Sequence, residues 1–112
     1  MEKKIDDIYT YVQERCLWQF FSRTWDRQEN IDRTIAYAID LFSGQTPEPA
    51  TAMDRCHLVD AKQLVADCRE RFSWVALTPA EEMQAVLDGV KEKLIAVTIT
   101  QSRNRELNMQ LY

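Results

Sequence analysis

Apolar residues recur at spacings of three and four along most of the chain, and this pattern limits the fold more than any other feature of the sequence. Such spacing places one apolar stripe on each of four predicted helices. The four stripes are Ile5, Ile8, Tyr9, Val12 and Cys16; Ile31, Ile35, Ala38, Ile39 and Phe42; Leu58, Ala61, Val65, Cys68 and Phe72; and Met83, Val86, Leu87, Val90 and Leu94. With 112 residues, the chain can bury one modest core. We therefore predict an all-α fold, in which residues 1–112 form a small single-domain bundle of about four main helices.

Local signals mark the ends of these helices. Gly44 stands where a left-handed residue would end the second helix, and residues 45–52, with two prolines, are predicted to form a surface loop. Residues 78–81, Thr-Pro-Ala-Glu, match a capping box at the start of the fourth helix. Residues 97–100 are rich in β-branched side chains, and the residues after them lack an apolar stripe. We expect the fourth helix to end there and an irregular C-terminal tail to follow.

The charge and the apolar content exclude several classes of function. The net charge is −4, from 14 basic and 18 acidic residues, which argues against nucleic-acid binding because phosphate contacts need a clustered positive field. No apolar run approaches the roughly 18 residues that cross a bilayer, and the first residues lack the apolar stretch of a secretion signal. We expect a cytoplasmic protein that binds neither membrane nor nucleic acid. Only two glycines are present, so a glycine-rich nucleotide-binding loop is excluded.

The side chains that usually carry chemistry are few and dispersed. Cys16, Cys56 and Cys68 are widely spaced without a Cys-x-x-Cys motif, so we expect buried reduced thiols rather than a zinc or redox site. His57 is the only histidine, and on a helix the adjacent Cys56 points about 100° away from it. We expect a surface or hydrogen-bonded role for His57, and the alternative is a metal or catalytic role for Cys56 and His57 together. We expect Asp60 to lie on the solvated side of the same helix. We predict no catalytic, cofactor-binding or metal-binding residue on this chain.

Residues 16–27 have the most unusual local composition in the chain. Five large apolar side chains occur within nine positions, and one face of a helix cannot hide all of them. Tryptophan, phenylalanine and arginine together are enriched at the centres of protein–protein interfaces. We therefore predict a partner-binding surface, the alternative being a large hydrophobic anchor within the chain's own core. The predicted contact residues are Trp18, Phe20, Phe21, Arg23, Trp25, Asp26 and Arg27, with Arg103, Asn104 and Arg105 as weaker candidates.

Each predicted contact residue has a proposed part in such an interface. Trp18, Phe21 and Trp25 would act as anchors. Arg23 and Arg27 would pair with carboxylates or main-chain carbonyl groups of the partner.

The same segment resembles the signature of a known family, the delta subunits of the alternative nitrogenases, which are the vanadium-dependent and the iron-only enzymes. The residues that carry the resemblance are Cys16-Leu17-Trp18-Gln19-Phe20 and Ser22-Arg23-Thr24-Trp25-Asp26-Arg27. Later landmarks of the family look similar to Arg69-Glu70-Arg71-Phe72-Ser73-Trp74, Glu81-Glu82, Leu87-Asp88-Gly89, residues 98–107 and Leu111-Tyr112. The resemblance thus covers nearly the whole chain.

The resemblance implies an accessory subunit that supports the reduction of nitrogen to ammonia. Such a subunit would dock directly on the cofactor-bearing alpha subunit, and two copies would join two alpha and two beta subunits in a hexamer. The iron–vanadium cofactor and the iron–sulfur cluster would lie on the partner subunits, and no cofactor would lie on this chain. The family suggests help with cofactor insertion, with coupling of electrons to substrate, or with access to the active site.

The resemblance is divided between the two kinds of enzyme. Phe21 after Phe20 and the ending at residues 104–108 look like the vanadium version, whereas residues 54–56 and 59–61 look like the iron-only version. Because the match over residues 18–30 is the longer one, we expect the vanadium enzyme. The alternatives are the delta subunit of the iron-only enzyme and a freestanding helical ligand-binding or chaperone domain, which would use the aromatic cluster as an internal pocket.

Overall fold

The computed structural model describes residues 1–15 and 27–110 of the chain. Within these two ranges the secondary structure is helical and contains no strand. The elements are α1 (Glu2–Arg15), α2 (Arg27–Phe42), α3 (Ala52–Arg71), a short 3₁₀ helix (Ser73–Leu77) and α4 (Ala80–Gln110). The four predicted helices correspond to the four α-helices, so the prediction of a small all-α domain is confirmed.

One apolar core holds the helices together. The α2 helix packs against both α3 and α4, and α1 packs against α4. The stripe predicted for α4 lies fully inside, and its members are Met83, Val86, Leu87, Val90 and Leu94. The other helices and the 3₁₀ helix contribute Ile8, Tyr11, Val12, Ile31, Ile35, Ala38, Ala61, Leu64, Val65, Cys68 and Val75. Apolar spacing therefore identified the inward face of each helix.

The α2 and α3 helices run in the same direction, although they follow each other in the chain. A ring nitrogen of His57 lies 2.8 Å from the side-chain oxygen of Asn30. The guanidinium of Arg69 lies 5.4 Å from the centre of the Phe42 ring. Both contacts join residues that are 27 positions apart, so residue numbers rise together along the two helices. Residues 43–51 must therefore return along the pair before α3 begins, which differs from the antiparallel neighbours of a simple up-and-down bundle.

Gly44 ends α2 as predicted. Its φ angle is +81°, in the left-handed region that favours glycine. Its amide donates to the carbonyl of Leu41 over 3.1 Å, and the amide of Gln45 donates to the carbonyl of Asp40 over 2.9 Å. These two bonds form a Schellman motif, which satisfies carbonyl groups that the helix end would leave without partners.

The start of α4 differs from the predicted capping box. The hydroxyl of Thr78 donates to the carbonyl of Trp74 over 2.7 Å and accepts from the amine of Lys4 over 3.2 Å. The first intrahelical bond runs from the amide of Met83 to the carbonyl of Pro79 over 3.0 Å. The helix thus begins one residue later than predicted, because contacts with the preceding turn and with α1 use the threonine hydroxyl.

The α4 helix continues past its predicted end. It runs without interruption to Gln110, so residues 97–100 do not end it, and the expected irregular C-terminal tail is wrong for residues up to 110. A β-branched residue lowers helix stability by at most about 0.7 kcal/mol. Once a helix has formed, each further residue adds one intrahelical hydrogen bond, so a modest propensity cost does not end it.

The α1 helix approaches α4 closely at a glycine. A Cβ atom placed on Gly89 would lie 2.6 Å from Cδ1 and 3.1 Å from Cγ1 of Ile5. Polar contacts flank this point: Lys4 pairs with Glu82 at 3.3 Å, and Lys93 pairs with Asp6. The hydrogen bond to the Asp6 carboxylate raises the pKa of the Lys93 amine. The missing side chain of Gly89 is therefore what lets Ile5 seat against α4.

We expect the close contact at Gly89 to cancel the usual gain from replacing a helical glycine. Gly89→Ala should raise the free energy of unfolding by about 1 kcal/mol in an Ile5→Ala background, where the Cδ1 and Cγ1 atoms that approach Gly89 are gone. In the natural background, the new methyl group must displace Ile5, and we expect no gain. Chemical denaturation of the four proteins of this double-mutant cycle measures the difference. An equal gain in both backgrounds would contradict the contact.

Candidate partner-binding site

The residues predicted to bind a partner fall mostly outside the described residues. Six of them lie in the undescribed segment 16–26: Trp18, Phe20, Phe21, Arg23, Trp25 and Asp26. Arg27 opens α2, and Arg103, Asn104 and Arg105 lie in the last third of α4. The side chains of these four residues also lie outside what the structure describes, and the interface assignment stays a prediction.

The described part of the chain does show at which end of the helix pair Arg27 lies. Since α2 and α3 run in the same direction, their first turns lie at the same end of the helix pair. We call this region the entry end and define it as residues 27–35 of α2 and 52–61 of α3. The segment 16–26 leads into the entry end through Arg27, and its other end follows α1 at Arg15.

All buried polar residues among the described side chains lie at the entry end. They are Asn30, Thr34, His57 and Asp60. His57 is buried and shares a hydrogen bond with Asn30, which confirms the hydrogen-bonded role expected for it, while the surface position is wrong. The solvated position expected for Asp60 is also wrong. Asp60 follows His57 by three positions and precedes the buried Ala61, so it lies on the inward face of α3.

Asn30 and Thr34 were missed by the sequence analysis. They lie four positions apart on α2, beside the buried Ile31 and Ile35 of the apolar stripe. Polar residues on that face do not add to the apolar period, so the stripe alone does not reveal them. Their spacing of four positions is the same as that between Ile31 and Ile35, and this is the feature of the sequence that could have indicated a buried position.

Cys56 and His57 do not form a thiol–imidazole pair. Cys56 is exposed, whereas His57 is buried, as expected for neighbours about 100° apart on a helix. The expectation of buried thiols is confirmed for Cys68 and wrong for Cys56. Cys56 lies outside the inward face of α3, and Cys16 lies outside the described residues.

The outer surface of α3 at the entry end is partly apolar. Met53, Cys56 and Val59 are exposed there, and Val59 is 64% exposed. We call these three residues the α3 patch. Arg55, Cys56, Val59 and Asp60 line a shallow cavity of about 290 Å³ beside it. The exposed apolar side chain of Val59 thus lies beside the charged residues Arg55 and Asp60. Protein interfaces likewise combine apolar and polar surface.

A second cleft, of about 320 Å³, lies between α1 and the end of α3. Arg71, at the end of α3, contacts α1 twice across the cleft: its guanidinium lies 5.1 Å from the centre of the Tyr11 ring and 3.8 Å from the Glu14 carboxylate. The Tyr11 hydroxyl donates to Asp67. These contacts join residues of the chain's own helices, so we assign the cleft a structural role.

The described ranges, 1–15 and 27–110, contain neither a candidate metal site nor a candidate membrane-spanning helix. No group of three or more histidine, cysteine, aspartate or glutamate side chains in them is arranged to hold a metal ion. None of their helices combines the length and the apolar character needed to cross a membrane.

Comparison with known proteins gives matches over the full length. The family model described as vanadium/alternative nitrogenase delta subunit matches residues 2–112. The nitrogenase iron-iron protein delta chain of Azomonas macrocytogenes is 33% identical over 112 residues, which is 100% of both chains. The proteins with the same name from Rhodobacter capsulatus and Clostridium pasteurianum are 33% and 28% identical, over 100% and 97% of this chain and 97% and 94% of theirs.

Proposed function

Because the chain belongs to the delta-subunit family of vanadium and alternative nitrogenases, we propose that it is the accessory delta subunit of an iron-only nitrogenase. The observation that carries this proposal is the full-length similarity to proteins named as iron-iron delta chains. The vanadium enzyme expected from residues 18–30 is not supported, since these relatives carry the iron-iron name. The iron-only alternative, to which residues 54–56 and 59–61 pointed, takes its place.

The proposed assembly follows the family. Two copies of the chain join two alpha and two beta subunits, and each copy contacts an alpha subunit directly. The metal clusters are held by the larger subunits, and this chain carries out no redox step itself. Its few and dispersed cysteine and histidine residues support that division of labour, because cluster ligation needs converging thiolate or imidazole ligands.

The proposed docking surface combines the segment 16–27 with the entry end. Arg27 begins α2 at that end, and the α3 patch is exposed there. Burial of Val59 and Met53 against a partner would remove apolar surface from water, which favours association. Arg103, Asn104 and Arg105 are the weaker contacts. Once docked, the subunit would support cofactor insertion, electron coupling or access to the active site of the partner.

We expect the chain to bind an iron-only nitrogenase that lacks its small subunit. Mixing the two and measuring mass by size exclusion with light scattering should show a gain of two 13.2 kDa chains per enzyme. A vanadium nitrogenase without its small subunit is the matched control and should bind more weakly. Stronger binding to the vanadium core would overturn the choice of enzyme. Binding to neither core would overturn the subunit function and favour the freestanding domain.

A further inference from the structure

We propose that the α2–α3 interface binds one internal water molecule between the side chains of Asn30 and Thr34. Both residues are 1% exposed. Within the described part of the chain, no hydrogen-bond partner contacts Asn30 Nδ2 or Thr34 Oγ1. Buried polar groups that the protein leaves unsatisfied are where internal waters bind. This inference is independent of the proposed function.

The position of Asn30 is fixed by its contact with α3. One of its two amide atoms, Oδ1, lies 2.8 Å from Nε2 of His57. Exchanging the oxygen and nitrogen of the amide would still leave one amide atom without a hydrogen bond, because the oxygen would then be the unsatisfied atom. With either assignment, one polar atom of this side chain has no hydrogen-bond partner among the described residues.

The spacing of the two residues suits a single bridging molecule. Asn30 and Thr34 are four positions apart on α2, and Cβ atoms at this spacing lie about 5–6 Å apart on one face of a helix. A water between them would accept from Asn30 Nδ2 and exchange a second hydrogen bond with Thr34 Oγ1. A bound water ordinarily makes two to four such bonds.

The competing arrangement is a rotated threonine. A helical threonine hydroxyl is able to donate to the main-chain carbonyl four residues before it, here that of Asn30. That rotation would satisfy Thr34 but leave Asn30 Nδ2 without a partner. The bridging water satisfies both side chains at once, and we infer it for that reason.

Oxygen-17 magnetic relaxation dispersion on the full chain tests the proposal, because it counts waters held longer than the tumbling time of the protein. We expect Thr34→Val, which keeps the shape and removes the hydroxyl, to lower the count by one water. The matched control is Thr46→Val, on the exposed loop, which should leave the count unchanged. An equal count in the natural protein and in Thr34→Val would overturn the proposal.

A crystal structure of the natural chain gives a second test that needs no variant. Density within hydrogen-bond distance of both Asn30 Nδ2 and Thr34 Oγ1 would support the water. A Thr34 hydroxyl bonded to the carbonyl of Asn30, with no density between the two side chains, would overturn it. This measurement decides the question even if Thr34→Val does not fold.

Discussion

Replacing Leu87 by alanine should lower the free energy of unfolding by about 2–5 kcal/mol. Leu87 is 0% exposed and lies in the stripe of α4 that forms the centre of the core. The change removes buried apolar atoms and leaves a cavity that the surrounding helices fill only in part. Small domains are stable by only about 5–15 kcal/mol, so a large part of the protein should be unfolded at moderate urea concentrations.

Leu77→Ala is the matched control for this prediction. Leu77 lies in the 3₁₀ helix and is 86% exposed, so the same substitution removes little buried surface. We expect a change within about 0.5 kcal/mol. Urea denaturation followed by circular dichroism measures both variants. Equal losses for the two leucines would show that the stripe of α4 does not form the core described here.

The helices of the described residues and their inward faces were predictable because they depend on local spacing. Every residue of the stripe predicted for α4 is buried, and Gly44 ends α2 in the expected left-handed conformation. Both features follow from the geometry of a single helix and need no knowledge of its neighbours. They are the part of a small helical fold that one sequence specifies most directly.

Features that depend on other helices could not be predicted in the same way. The hydroxyl of Thr78 was expected to cap α4, but it bonds to Trp74 and Lys4 instead. The shared direction of α2 and α3 follows from the contacts Asn30–His57 and Phe42–Arg69, which join distant parts of the chain. Nothing in the spacing of either helix indicates which way its neighbour runs.

The candidate site also combines a feature that the local sequence indicated with features that depend on the rest of the structure. The composition of residues 16–27 indicated an interface, but composition does not give a position in space. The buried polar residues at the entry end were missed or placed on the surface. Apolar spacing is the signal that marks the inward face of a helix, and it does not predict that a polar residue lies there. Short motifs were also a weak guide to the metal of the partner enzyme. Residues 18–30 indicated vanadium, whereas similarity over the full chain favours the iron-only enzyme.

We expect Trp18→Ala and Trp25→Ala each to weaken binding to the iron-only nitrogenase core by at least about 2 kcal/mol, or roughly 30-fold in Kd. Large aromatic side chains at the centre of an interface lose both apolar contact and shape complementarity when truncated. Titration of the purified core by isothermal calorimetry or surface plasmon resonance measures the effect.

Arg23→Ala and Arg27→Ala should weaken binding less at high salt than at low salt, because ion pairs at an interface are screened.

The alternative role for these tryptophans is a hydrophobic anchor inside the chain itself, and stability separates the two roles. An interface anchor, when replaced, should change affinity while the urea midpoint of the isolated chain stays close to that of the natural protein. A core anchor should lower the midpoint as Leu87→Ala does. Leu77→Ala is again the control, since it removes an exposed leucine outside the proposed docking surface and should leave affinity unchanged. Unaltered affinity in both tryptophan variants would remove residues 16–27 from the docking surface and leave the α3 patch as the surface to test next.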